Sequence, residues 1–68
     1  MTRDEALAEM AKRKFTDVRE QGTTVFGRGD SIELIINYYK NQYLIKAYYE
    51  GVWYSSNWGS CDNLPPSH

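Results

Sequence analysis

The sequence predicts an α+β domain, with one N-terminal helix packed on an antiparallel meander of three or four strands. Three observations carry that expectation. Thr2-Arg3-Asp4-Glu5 has the form of a capping box ahead of an amphipathic run. From Thr23 onward β-branched and aromatic residues alternate with turn signals, which is the texture of successive strands. The helical run offers a single apolar stripe, and a sheet with one apolar face needs such a stripe to close a two-layer core.

The helix is expected from Arg3 to about Glu20. At 100° per residue, Leu7, Met10, Ala11, Phe15 and Val18 fall on one stripe, while Glu5, Glu9, Lys12, Arg13, Thr16 and Glu20 point away. Glu9 and Arg13 stand i,i+4 apart, acid first, which adds support. Gly22 then offers the left-handed conformation at which many helices end. Phe15-Thr16-Asp17-Val18 also alternates as a strand would.

Strands are expected at Thr23–Phe26, Ser31–Lys40, Tyr43–Tyr49 and Val52–Asn57. A two-residue loop at Glu50-Gly51 pairs Tyr49 with Val52 and Tyr48 with Trp53. A two-residue loop at Asn41-Gln42 pairs Lys40 with Tyr43 and Ile36 with Ala47. These registers collect Ile32, Leu34, Ile36, Tyr38, Tyr43, Ile45, Ala47, Tyr49, Val52 and Tyr54 on one face, the expected core. Whether Val25 or Phe26 joins them depends on the length of the loop that follows.

That loop contains Arg28-Gly29-Asp30-Ser31, which resembles the tripeptide loop of integrin ligands. Two glycines and an aspartate between two strands are what a tight connection requires, so a turn is the expected role.

Composition narrows the function. Sixty-eight residues make one domain, here expected over residues 1–60, with a flexible C-terminal tail over residues 61–68. The only cysteine is Cys61 and the only histidine is His68, so neither a disulfide nor a zinc site is expected to staple the chain. No cofactor or metal is expected. Thr2 to Met10 lacks the basic and continuously apolar regions of a signal peptide, which points to a cytoplasmic location, and no run is long enough for a membrane helix. A nucleophile next to an oriented base is missing, and the helix carboxylates occupy solvated positions, so no enzymatic activity is expected.

Charge is unevenly spread. Residues 1–30 carry six basic and six acidic side chains, residues 31–68 only two and three, and eight of the ten aromatics lie between Tyr38 and Trp58. The registers above place Ile35, Tyr48 and Trp53 in one row on the face away from the helix, with Tyr39 beside Leu44 in a second row and Lys46 nearby. An apolar patch of this kind marks an interaction site, so Ile35, Tyr39, Leu44, Lys46, Tyr48 and Trp53 are the expected partner-binding residues. The reading that follows is a small non-catalytic module that binds and occludes a larger protein or complex. Its size and style are those of phage or mobile-element inhibitors of host defence complexes, the anti-CRISPR proteins among them, an analogy without a shared motif. Two alternatives are a structural homodimer and an aromatic sheet for single-stranded nucleic acid. The latter is weakened by the scarcity of cations on the sheet. The tail from Trp58 to Pro66 folding over the patch would make it a second small core instead.

Overall fold

The computed structural model describes residues 1–66 of the chain. It is an α+β fold: helix α1 (Arg3–Lys12) lies on one face of an antiparallel meander of β1 (Asp17–Gln21), β2 (Thr24–Arg28), β3 (Ile32–Asn37), β4 (Gln42–Tyr49) and β5 (Val52–Ser55). A two-residue strand β6 (Gly59–Ser60) pairs with the start of β4 and leads into a single 3₁₀ turn, Cys61–Asn63. None of the helices is long and apolar enough to cross a membrane among the described residues.

The capping box forms as the sequence predicts. Thr2 Oγ1 accepts the Glu5 N–H at 3.1 Å, and Glu5 Oε1 accepts the Thr2 N–H at 2.9 Å. The Thr2 backbone N–H, and after it the Thr2 side chain, hydrogen-bonds the Glu5 carboxyl and holds it below its ordinary pKa.

The helix ends eight residues earlier than Glu20. Lys14 takes a left-handed φ of 59°, its N–H donates to Ala11, and the Phe15 N–H donates to Met10. This is a Schellman stop with its usual apolar contact, here Phe15 near Met10, and it is made without the customary glycine. The left-handed conformation costs a lysine about 1–2 kcal/mol, which burial of Phe15 against the core can offset. Phe15 and Val18 therefore leave the helical stripe. Asp17–Gln21 becomes the edge strand β1, and Gly22, at φ 60°, opens the β1–β2 hairpin turn rather than capping a helix.

The β4–β5 hairpin keeps the expected register. Tyr49 faces Val52 and Tyr48 faces Trp53, closed by Glu50 at φ 50° and Gly51 at φ 84°, the pair of positive angles that a type I′ turn needs. The β3–β4 register is corrected. Ile36 pairs with Tyr43, not Ala47, because the loop has four residues, Tyr38 to Asn41. Asn37 Oδ1 accepts the Lys40 N–H at 3.0 Å and Asn41 takes φ 55°, so two asparagines build a longer turn than a two-residue hairpin. The slip is an even number of residues, so every side chain that stays in β3 and β4 keeps its face, while Tyr38, Tyr39 and Lys40 leave the sheet for the loop.

Ala6, Met10, Val25, Leu34, Ile36 and Cys61 form the core. Val25 points in and Phe26 out. The far half of the expected core does not form: Ile32, Tyr49, Val52 and Tyr54 are all at least 40% exposed, and Ala47 is exposed too. The reason is length. A ten-residue helix spans about 15 Å and reaches β2 and β3 but not the end of the β4–β5 hairpin.

The tail expectation is corrected for the residues that follow β6. Cys61 is buried in the core, Leu64 packs beside it, the Cys61 N–H donates to Asn41 O at 2.9 Å, and Arg13 Nη2 donates to Pro65 O. The segment closes the open side of the helix–sheet layer, which a domain this small needs. It does not cover the opposite face. Ser67 and His68 lie outside the described residues.

Gly29-Asp30-Ser31 is a tight connection, as expected, but Arg28 is not part of it: Arg28 ends β2, and the Gly29 N–H donates to Ile32 O at 2.8 Å. Neither Gly27 nor Gly29 has a positive φ.

Candidate aromatic docking surface

Alternation along paired strands puts Phe26, Arg28, Glu33, Ile35, Leu44, Lys46, Tyr48, Trp53 and Ser55 on the face away from α1. Of the residues expected to form the site, Ile35 lies at the centre, between Phe26 of β2 and Leu44 of β4, and is only 7% exposed. It is a packed middle rather than an offered contact. The four-residue slip in the β3–β4 register removes it from the Tyr48–Trp53 row.

Tyr39 is also displaced. It sits in the β3–β4 loop, 80% exposed, and not beside Leu44 on the sheet. Lys46 is on the face, but its ammonium stands 4.0 Å from Glu33, the residue directly opposite on β3.

Tyr48 and Trp53 remain together as the sequence predicts. Their rings lie 5.3 Å apart, tilted at 55°, an arrangement that lets the positive edge of one ring approach the negative face of the other. They are 44% and 39% exposed.

The structure adds a neighbour that the sequence did not single out: the Arg28 guanidinium lies 5.2 Å from the centre of the Trp53 ring. Arg28 belongs to β2 and Trp53 to β5, so the two long side chains reach toward each other across β3 and β4. A guanidinium over an indole is attractive through the ring quadrupole, and holding both groups in place lowers the entropy that a docking event would remove. Arg28, Glu33, Lys46, Trp53 and Ser55 border a shallow cleft of about 360 Å³ beside this pair.

A second group of exposed apolar side chains lies on the other face of the same hairpin. Tyr49, Val52 and Tyr54, expected in the core, are 64%, 49% and 57% exposed, and Trp58, just beyond β5, is 52% exposed. The far end of the β4–β5 hairpin, from Ala47 to Ser55, is thus an aromatic arm exposed on both faces. The signal that could have found it is helix length. A helix stopping at Lys12 is too short for a five-stranded sheet.

Titratable chemistry is sparse. The Cys61 thiol is pushed up by burial, which leaves it protonated and inert near neutrality. Among the described residues, no group of three His, Cys, Asp or Glu side chains could hold a metal ion. No known protein family, characterised protein or solved structure matches this chain.

Proposed function

We propose that the chain is a non-catalytic protein-binding module that docks on a larger protein through the β4–β5 arm and blocks the surface it covers. One observation carries the reading: Tyr48, Trp53 and Arg28 stand together, partly exposed, on a sheet face that no helix of the described residues covers. Tyr, Trp and Arg are the residues in which interface energy concentrates, and here they are already ordered by one another. A small inhibitor that occludes a host defence complex, of the kind mobile elements carry, is the class that the chain's size suggests. The docking residues under this reading are Arg28, Lys46, Tyr48 and Trp53, flanked by Leu44.

The charges on this face favour a protein over a single-stranded nucleic acid. Lys46 already has Glu33 as a neighbour and Arg28 already lies on Trp53, whereas affinity for a polyanion rests on cations free to contact phosphates.

The test is a pull-down with wild-type and Trp53→Ala baits, followed by calorimetry on the captured partner. Trp53→Ala is expected to weaken binding by about 2 kcal/mol or more, roughly 30-fold in Kd, with a much smaller loss of stability. Binding that falls only in step with unfolding would defeat the reading. Affinity for single strands that collapses with salt, with Lys46→Ala as harmful as Trp53→Ala, would replace it with the nucleic-acid alternative.

A further inference from the structure

The two edges of the sheet are built differently. β1, at one edge, carries Asp17, Arg19 and Glu20 among five exposed residues, and charges along an edge discourage another strand from adding to it. β5, at the other, is Val52-Trp53-Tyr54-Ser55, and no charged residue occurs from Val52 until Asp62. Among the described residues β5 pairs only with β4, and β6 continues past its end by pairing with Gln42 and Tyr43.

The backbone of β5 is oriented for a further partner. Tyr48 donates its N–H to Ser31 O at 2.8 Å, on the β3 side. Tyr48 faces Trp53 across the β4–β5 ladder, so these two residues exchange no hydrogen bonds, and Trp53 turns its N–H and C=O outward. By alternation Ser55 does the same. Each presents a donor and an acceptor along the free edge.

We propose that this edge pairs with the same edge of a second copy of the chain, antiparallel about a twofold axis at Tyr54. In that register Trp53 and Ser55 of each copy exchange hydrogen bonds with Ser55 and Trp53 of the other. It is the twofold register that uses all the outward groups of β5; centring on Trp53 or on Ser55 uses fewer. Tyr54 then meets Tyr54 of the second copy on the helix side, in the closer, non-hydrogen-bonded kind of pair. No like charges from β5 oppose each other.

The edge itself is apolar and exposed: Val52 and Tyr54, 49% and 57% exposed, stand on the helix side of the outward backbone groups, and Trp53, 39% exposed, on the other. The helix packs over β2, well away from β5, and leaves the edge open. Isologous twofold pairing is the commonest way that identical chains associate. The two sheets become one, and both Tyr48–Trp53 clusters fall on a single continuous face. The proposal does not depend on the docking function.

Sedimentation equilibrium across the micromolar to millimolar range tests it, with cysteine scanning to fix the register. Wild-type mass is expected to rise from 7.9 kDa toward twice that value with concentration. Tyr54→Cys is expected to form a disulfide-linked dimer under mild oxidation. Val52→Cys, on the same face, is expected to form none, because the two copies of position 52 would lie about 13 Å apart, beyond disulfide reach. Native Cys61, buried, stays silent. Tyr54→Lys should be monomeric, with the circular dichroism spectrum and melting curve of wild type diluted below its association range. A wild-type chain that stays monomeric throughout, a Tyr54→Lys variant that stays dimeric, or equal linking through both cysteines would each overturn the proposal. A monomeric Tyr54→Lys that still captures the wild-type partner separates this result from the docking test.

Discussion

Gly27 offers the sharpest check on how the helix sits on the sheet. It is a buried residue in the middle of β2, between Val18 of β1 and Leu34 of β3, on the face beneath α1. A Cβ there would fall well inside contact distance of Met10 Sδ and 2.5 Å from Phe15 Cδ2, where unstrained contacts lie near 3.5–4.0 Å. Met10 is fully buried, so it cannot move aside into solvent.

Overpacking of this kind costs about 1–3 kcal/mol, against which alanine regains about 0.4–1 kcal/mol by restricting the unfolded chain. Two contacts this short, one of them with a fully buried side chain, put the cost at the upper end of that range, so the net loss for Gly27→Ala is about 1–2.5 kcal/mol. A chain of this size has about 3–10 kcal/mol of stability in all, and each 1 kcal/mol moves its Tm by roughly 4–8 °C. Thermal and urea unfolding by circular dichroism should show a Tm lowered by about 5–15 °C. Gly29→Ala is the control. Its Cβ would meet Ile32 Cγ2 at 3.5 Å, an ordinary contact, so stability should hold or rise slightly. Met10→Ala combined with Gly27→Ala should cost less than the two single losses added together, because each change relieves the other's misfit. A Gly27→Ala protein as stable as wild type, or losses that simply add, would refute this placement of helix and strand.

Three further outcomes are expected. Ile36→Ala removes a fully buried side chain and should cost about 2–5 kcal/mol in urea unfolding, a large share of the domain's stability; a melt like that of wild type would contradict the core assignment. Cys61 should resist alkylation by iodoacetamide until the C-terminal segment opens, with modification tracking unfolding; rapid labelling of the folded protein would show that the segment is not docked. Arg3 grips Glu20 through Nε–Oε1 at 2.8 Å and Nη2–Oε2 at 2.9 Å, and that hydrogen-bonded pairing lowers the Glu20 pKa. A depressed carboxylate stabilises the fold fully above its unfolded pKa and loses that contribution as pH falls through the folded one. The gap in urea midpoint between wild type and Glu20→Gln should therefore be open at neutral pH, narrow below the ordinary glutamate range and shrink with salt. A gap that is independent of pH would exclude the pairing.

Some of the fold was legible because it is local. The Thr2–Glu5 box, the Glu50-Gly51 turn with its Tyr48–Trp53 pair, and the alternation that sends Leu34 and Ile36 one way and Ile35 the other rest on contacts between residues near in sequence. The side on which a strand residue lies survives an even slip in register, which is why face assignments held while partners across β3 and β4 changed. What the chain did not announce was decided by packing between distant segments. Lys14 adopts a left-handed angle that its own preference opposes, because stopping the helix there lets Phe15 reach the core below Gly27 and frees Asp17–Gln21 to become an edge strand. Cys61 is pulled from a polar tail into the core because the short helix leaves a side open. The same shortness strips cover from Tyr49, Val52 and Tyr54, and the sheet's shape brings Arg28 over Trp53 from three strands away. Propensity and periodicity act over a few residues; the length at which a helix stops is a balance of burial across the whole domain, and that balance exists only once the sheet is assembled.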